Sequence, residues 1–377
     1  MLKNLSNIFK LNPNYANRVF GLDLMRAIAI FTVVLGHGGF MLEQANTDFP
    51  WIKLIDGVEL FFVLSGFLIG GIILKEFNDN PTFSIKNIFR FWKRRWFRTL
   101  PNYYLILIIN ILIVYFGIIQ EDFSQFNWKF FLFLQNFTQP FYGFFWESWS
   151  LSIEEWFYIL FPIILMLLYL LFIKFKISKK TIFLSAVFVF LLTPFLLRFF
   201  IASNFELDSF WLGVRINKVV IYRLDGIAFG LLGALIKYYY PKIWFKSRNI
   251  TFVTGLVVCY VFILYHTWLP NNFSTKVYKI SILSLGCFLL LPKFDSIKTA
   301  PKLLTRVVTH ISLISYSMYL INLALVAEVI RDHFPPHGPK TAWFMYGIYW
   351  VVVILASTLL YKYYEKPMMD LRDRKKQ

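Results

Sequence analysis

Residues 20–40 read FGLDLMRAIAIFTVVLGHGGF, an apolar run whose only ionisable side chains are Asp23, Arg26 and His37. A helix of that length rises through about 30 Å, the thickness of a bilayer's hydrocarbon core, so the run has the dimensions of a membrane crossing. Three basic residues, Lys3, Lys10 and Arg18, precede it, as they would a secretory signal. Arg26 and His37 lie inside the run, however, and no small-residue cleavage site follows, so it reads as a retained anchor.

The rest of the chain repeats this pattern. Further apolar runs lie near 57–74, 101–119, 150–173, 181–201, 218–236, 250–268, 277–292, 308–330 and 342–361. Of 377 residues, 58% are hydrophobic, 20% aromatic and 16% charged, and the mean hydropathy is +0.58. A soluble domain is about a quarter charged, so this composition excludes a soluble enzyme, a disordered chain and a secreted disulfide scaffold. The fold class is therefore all-α, a polytopic helical membrane protein of about ten crossings. The aromatic stretch Trp128 to Phe137 is too brief to span and is expected to lie in the interface or to re-enter. Lys and Arg divide 28 to 8 between alternate loops, which places both termini in the cytoplasm. An eleventh crossing would invert every later basic loop. The chain is thus expected to comprise a cytoplasmic segment 1–18, a transmembrane domain 19–366 and a basic cytoplasmic tail 367–377 in a multi-pass protein of the cell (inner, cytoplasmic) membrane.

The formal charge of +18 would suit a nucleic-acid partner, but basic cytoplasmic loops account for it, and no nucleic acid is expected. Cys259 and Cys287 each lie in an apolar run and read as small buried hydrophobes rather than a disulfide or a metal pair. No repeat is visible, no metal ligands cluster, and no tightly bound cofactor is implied.

Function is sought among polar groups that lipid would reject. Arg26 and His37 are 11 residues apart, about three helical turns, so they share a face roughly 16 Å apart along the axis. Gly36, Gly38 and Gly39 around His37 would let a neighbouring helix or a substrate approach closely. At His37's depth the pattern gathers Asp56 and Glu59, then WSLSIEE (149–155) with Ser152, Glu154 and Glu155, and Arg223 with Asp225 in YRLD (222–225). A histidine beside a carboxylate is the arrangement of a general base. At the cytoplasmic interface Arg90, Lys93, Arg94, Arg95 and Arg98 precede Pro101 and the third helix. They serve as positive-inside anchors or as a phosphate clamp, because guanidinium groups grip phosphates in bidentate fashion. A transfer reaction joins the two layers: a phosphorylated donor inside, and a histidine further out that activates an acceptor.

These residues carry a resemblance. The chain resembles the membrane-bound acyltransferase-3 family in GLDLMRAIAIFTVVLGH (21–37), DGVELFFVLSGFLI (56–69, with Ser65), RRWFRTLP (94–101) and WSLSIEEWFYILFP (149–162). YRLDGIAFG (222–230), ISYSMYLIN (314–322, with Tyr316 and Tyr319) and YYEKP (363–367) follow in family order. The resemblance implies transfer of an acyl group, commonly acetyl, from cytoplasmic acyl-CoA to a hydroxyl of an extracytoplasmic glycan or lipid-linked sugar. It implies active-site roles for His37 and Arg26, with Glu154 the carboxylate of its block, and donor binding by Arg95 and Arg98 with Arg94 beside them. Glu59, Ser65, Ser152, Glu155, Arg223, Asp225, Tyr316 and Tyr319 are expected to support them. His37 would act as general base or briefly carry the acyl group, with Glu154 or Glu59 orienting it.

The chain departs from the family at Asn322, where a histidine is usual. An asparagine can take over a hydrogen bond but not proton transfer, and the bonding role is the one expected. Relatives with an added extracytoplasmic hydrolase-like domain differ too, so such a partner would be a separate protein. The aromatic group Phe141, Tyr142, Phe144, Phe145, Trp146 and Trp149 would stack on sugar rings or form an interfacial belt. The alternative function is a transporter of a polysaccharide unit or small anion without chemistry. It would use Arg26, Arg223 and His37 as a path, but the paired broken helices of many carriers are not evident.

Overall fold

The structure, a computed structural model, describes residues 11, 13, 15, 18–43, 56–206, 210–268 and 272–373. Most of the 1–18 segment and, among the counted basic residues, Lys3, Lys10, Lys53, Arg374, Lys375 and Lys376 lie outside the described residues. Within them the regular elements are helices, and the chain is an all-α polytopic membrane protein. The long helices are α1 (Phe20–His37), α2 (Gly57–Asp79), α3 (Ile85–Tyr115), α4 (Ser148–Phe172), α5 (Lys179–Asn204), α6 (Asp225–Tyr239), α7 (Arg248–Trp268), α8 (Phe273–Ser296), α9 (Lys302–Ile321) and α10 (Pro339–Leu360). Every apolar run of the sequence is represented. Nine helices among the described residues are long and apolar enough to cross a membrane. The remaining run, 218–236, yields α6, only 15 residues, which is buried along most of its length. The stretch from Trp128 forms a 3-10 turn, Trp128–Leu132, and not a crossing.

Local chemistry sets the helix starts. The Asp56 carboxylate accepts from the backbone N–H groups of Val58 and Glu59, satisfying donors that the first turn of α2 leaves open. Ser178 caps α5 and Asn272 caps α8 in the same way. One boundary differs from the sequence reading. The basic group Arg90 to Arg98 does not precede the third helix but lies on it, because α3 starts after Ser84 and runs through Pro101. Ser84 and Asn87 close a capping box well upstream, and the proline is accommodated in mid-helix.

The core of the bundle is α2 against α6, flanked by α1, α5 and α8. Gly66 and Gly230 make this approach possible: a Cβ at Gly66 would stand 1.9 Å from the Ile227 carbonyl oxygen, and one at Gly230 2.1 Å from that of Val63. Such small-residue contacts bring helix backbones together where the hydrophobic effect cannot. Two buried ion pairs lock the same region. Arg198 grips Asp225 at 2.6 Å, and Arg223 meets Glu59 at 2.9 Å. Ser281 and Ser284 complete the carboxylate shells of Asp225 and Glu59. α7, by contrast, leans mainly on α8 and exposes most of its apolar surface, as a lipid-facing helix does.

Candidate active site

His37 ends α1 on the wall of an open cavity of about 930 Å³. Phe141, Tyr142, Trp146 and Trp211 supply its aromatic surface, and Glu121, Lys218 and Glu328 its charge. The Lys218 ammonium lies 3.7 Å from the Trp146 ring centre, and burial brings this lysine down to about 7. Burial likewise raises Glu121 to about 7. The remaining residues of the aromatic group point elsewhere. Phe144 and Phe145 are core, and Trp149 packs edge-on against Phe62.

His37 Nδ1 lies 2.6 Å from Asn322 Oδ1. The amide nitrogen of Asn322 donates to the carbonyls of Met318 (2.8 Å) and Tyr319 (2.7 Å), which can only accept. The amide oxygen therefore faces the imidazole, and Nδ1 must carry the proton that Asn322 receives. Nε2 keeps the lone pair. Tyr349 approaches the same amide oxygen at 3.4 Å and donates to Val34 O at 3.0 Å, so the end of α1 is braced from α10. Gly38 permits this brace, since a Cβ there would meet the Tyr349 ring at 2.7 Å, whereas Gly36 and Gly39 face open space.

A second, much smaller pocket of about 80 Å³ lies within the bundle, lined by Arg26, Ser65, Arg95, Arg98, Glu154 and Tyr316 among others. Ser65 donates to Glu154 Oε1 at 2.9 Å and Tyr158 to Oε2 at 3.0 Å, so both carboxylate oxygens are held. The Arg95 guanidinium stacks over the Tyr158 ring at 5.6 Å. Arg26 lies 3.2 Å from the Ser312 hydroxyl and 3.7 Å from Asp23. Arg94 is exposed and is not among the residues that line this pocket. Tyr319 closes the far end: Ser150 bonds its hydroxyl at 2.5 Å, and that hydroxyl donates to the Glu147 carbonyl at 2.8 Å.

The geometry corrects several expectations. Neither Glu154 nor Glu59 orients His37; Asn322 does, while Glu59 is spent on Arg223 and Ser284. Arg223 and Asp225 do not converge on the histidine and do not pair with each other, because each is neutralised by a partner on another helix. Arg26 and His37 open onto different cavities. Ser152 accepts from Gln135 at 2.7 Å and Glu155 from Thr99 at 2.6 Å, contacts that fasten α4 to its neighbours. Tyr316 donates to the Thr99 carbonyl at 2.8 Å across the Arg26 pocket. Sequence reasoning missed the bracing role of Tyr349, which nothing in the linear pattern marks.

The profile of the acyltransferase-3 family, described as an acyltransferase domain, matches residues 19–362. The chain belongs to the acyltransferase-3 family. This acyltransferase-3 chain is 28% identical over 379 aligned positions to a Staphylococcus aureus (strain COL) protein named "Putative O-acetyltransferase SACOL0978", covering 92% of the chain and 56% of that relative. It is 30% identical over 161 positions to the peptidoglycan O-acetyltransferase OatA of Listeria monocytogenes, covering 38% of the chain and 24% of the relative. The acyltransferase-3 chain thus spans about half the length of the full-coverage relatives. No solved structure matches it.

Proposed function

We propose that the protein is an O-acyltransferase of the cytoplasmic membrane that moves an acyl group, acetyl in the first instance, from cytoplasmic acyl-CoA to a hydroxyl of an extracytoplasmic glycan or lipid-linked sugar. The observation that carries this reading is the His37–Asn322 bond, which leaves the Nε2 lone pair available beside a wide aromatic cavity. His37 Nε2 takes the proton of the acceptor hydroxyl as its oxygen attacks the thioester carbonyl. The C–S bond breaks, the CoA thiolate leaves, and the proton passes to it. The ring suits this role because Asn322 holds its tautomer without competing for the proton.

Arg95 and Arg98 reach the donor from the small pocket, with Arg26 and Glu154 deeper in its wall. Planar guanidinium groups are suited to a phosphorylated donor. Tyr142, Trp146 and Trp211 offer flat apolar faces of the kind that stack on sugar rings. The name of the Listeria relative, a peptidoglycan O-acetyltransferase, favours a cell-wall glycan as acceptor.

Mass spectrometry of envelope glycans from cells making equal amounts of the wild type or His37→Ala, or neither, tests the reading. An acyl mass increment present with the wild type and absent with the variant is expected. An increment that persists in the variant removes His37 from the chemistry, and no increment with the wild type overturns glycan acylation.

A further inference from the structure

Beside the first turn of α1, Arg18, Lys298, Lys302 and Arg306 line a cleft of about 360 Å³ that is separate from both cavities described above. Two of these cations are already engaged. Arg18 forks onto Asp23, with contacts of 2.7 and 2.5 Å, and Lys298 donates to the Asp295 carbonyl at 2.6 Å and lies 3.6 Å from its carboxylate. Asp23, the carboxylate in the cleft wall, is used up by Arg18, Ser312 and Thr309. Lys302 and Arg306 have no hydrogen bond or ion pair among the described residues. The cleft therefore presents two uncommitted positive charges, the complement of one phosphate monoester dianion.

A polar stripe leads inward from it. Lys302, Arg306, Thr309, Ser312, Tyr316 and Tyr319 follow one another on α9 at spacings of three and four, so they share one face. Thr309 belongs to the cleft, and Tyr316 and Tyr319 to the Arg26 pocket. Ser312 joins the two: its hydroxyl is 3.3 Å from Arg18 Nη2 and 3.2 Å from Arg26 Nη1. From Arg306 to Tyr316 the helix rises about 15 Å, a span that an extended pantetheine arm covers.

We infer that this cleft binds the nucleotide 3′-phosphate of the CoA donor, and that the pantetheine arm displaces Arg18 from Ser312, which with Thr309 is buried in this structure, to run along the α9 stripe toward the pocket that holds the rest of the donor. The inference rests on the acyl-CoA reading proposed above. A lipid headgroup carries the same phosphate chemistry, and Leu303, Leu304 and Val307 expose apolar surface beside the cleft, so the titration below separates the two sources.

Calorimetric titration of the full-length protein, in nanodiscs of phosphatidylcholine, with CoA and with dephospho-CoA tests it. The wild type is expected to prefer CoA by about tenfold, the loss that follows removal of one charge-assisted contact. The Lys302→Gln/Arg306→Gln variant, with an unchanged melting temperature, is expected to bind both ligands alike, at the wild type's affinity for dephospho-CoA. A wild type indifferent to the 3′-phosphate, or a variant that keeps the preference, overturns the cleft assignment and leaves the donor reading intact. A wild type that binds neither ligand overturns the donor reading itself. Loss of the preference when phosphatidylglycerol replaces part of the phosphatidylcholine, with dephospho-CoA binding unchanged, gives the cleft to a lipid headgroup.

Discussion

His37 and Asn322 share a 2.6 Å hydrogen bond whose direction is dictated by two backbone carbonyls on the far side of the amide. A leucine at 322 would match the volume and remove the acceptor, leaving the imidazole free to turn and to exchange tautomers. Asn322→Leu is expected to lower kcat by about 10–100-fold with a small change in acceptor KM, by analogy with losses on removing an orienting partner of a catalytic base. Steady-state kinetics on membranes with matched protein levels measures it. An effect confined to KM would make Asn322 a binding residue instead.

Arg95 and Arg98 lie one turn apart on α3 and line one pocket, whereas Arg94 on the same turn is exposed. Arg98→Gln is expected to raise the KM for acyl-CoA at least about tenfold, the cost of one charge-assisted contact, and Arg94→Gln to leave it within about twofold. Donor titrations of the two variants side by side separate a clamp from general positive charge at the interface.

The Arg223–Glu59 pair is buried on both sides, with side-chain exposures of 4% and 1%. Removing one partner strands a charge, so Glu59→Leu is expected to destabilise the protein by about 3–5 kcal/mol, while the Glu59→Leu/Arg223→Met double variant recovers most of the loss. Melting temperatures in detergent report both. A double variant that is folded, yet inactive, would give the pair a role in transfer.

Burial holds Glu121 at about 7, well above the usual carboxylate range. The folded protein binds a proton there that the unfolded chain has already released, so the contribution is full at pH 4 and is lost as the pH rises through 7. The Glu121 carboxylate also accepts from the Phe145 N–H at 3.0 Å, which a glutamine oxygen can still do. Glu121→Gln is therefore expected to melt increasingly above the wild type between about pH 5 and about pH 8. Parallel melting curves at the two ends of that range check it.

The membrane class and the number of apolar runs were legible, and Arg26, His37, Arg95, Arg98 and Glu154 stood out as candidates, because lipid penalises polar groups and each one left inside or beside a run is conspicuous. Which of them meet was not legible. Glu59 and Glu154 looked equally suited to His37, yet the rotation of α2 turns Glu59 toward Arg223, and Ser65 and Tyr158 claim Glu154. Helix rotation depends on contacts such as Gly66 against Ile227, and these pair residues far apart in the chain. The start of α3 was misread because Pro101 resembles a helix boundary, while the capping box that opens the helix begins at Ser84, 17 residues upstream of the proline.

The Ser150–Tyr319 contact bears on how the two halves of the site are coupled. The Arg26 pocket and the His37 cavity have no lining residue in common, and the hydroxyl pair stands on the wall of the first. Tyr319 serves both sides, its hydroxyl on the Arg26 pocket and its backbone carbonyl accepting from the Asn322 amide that aligns His37, so a change that shifts this one tyrosine would be felt by donor and acceptor together.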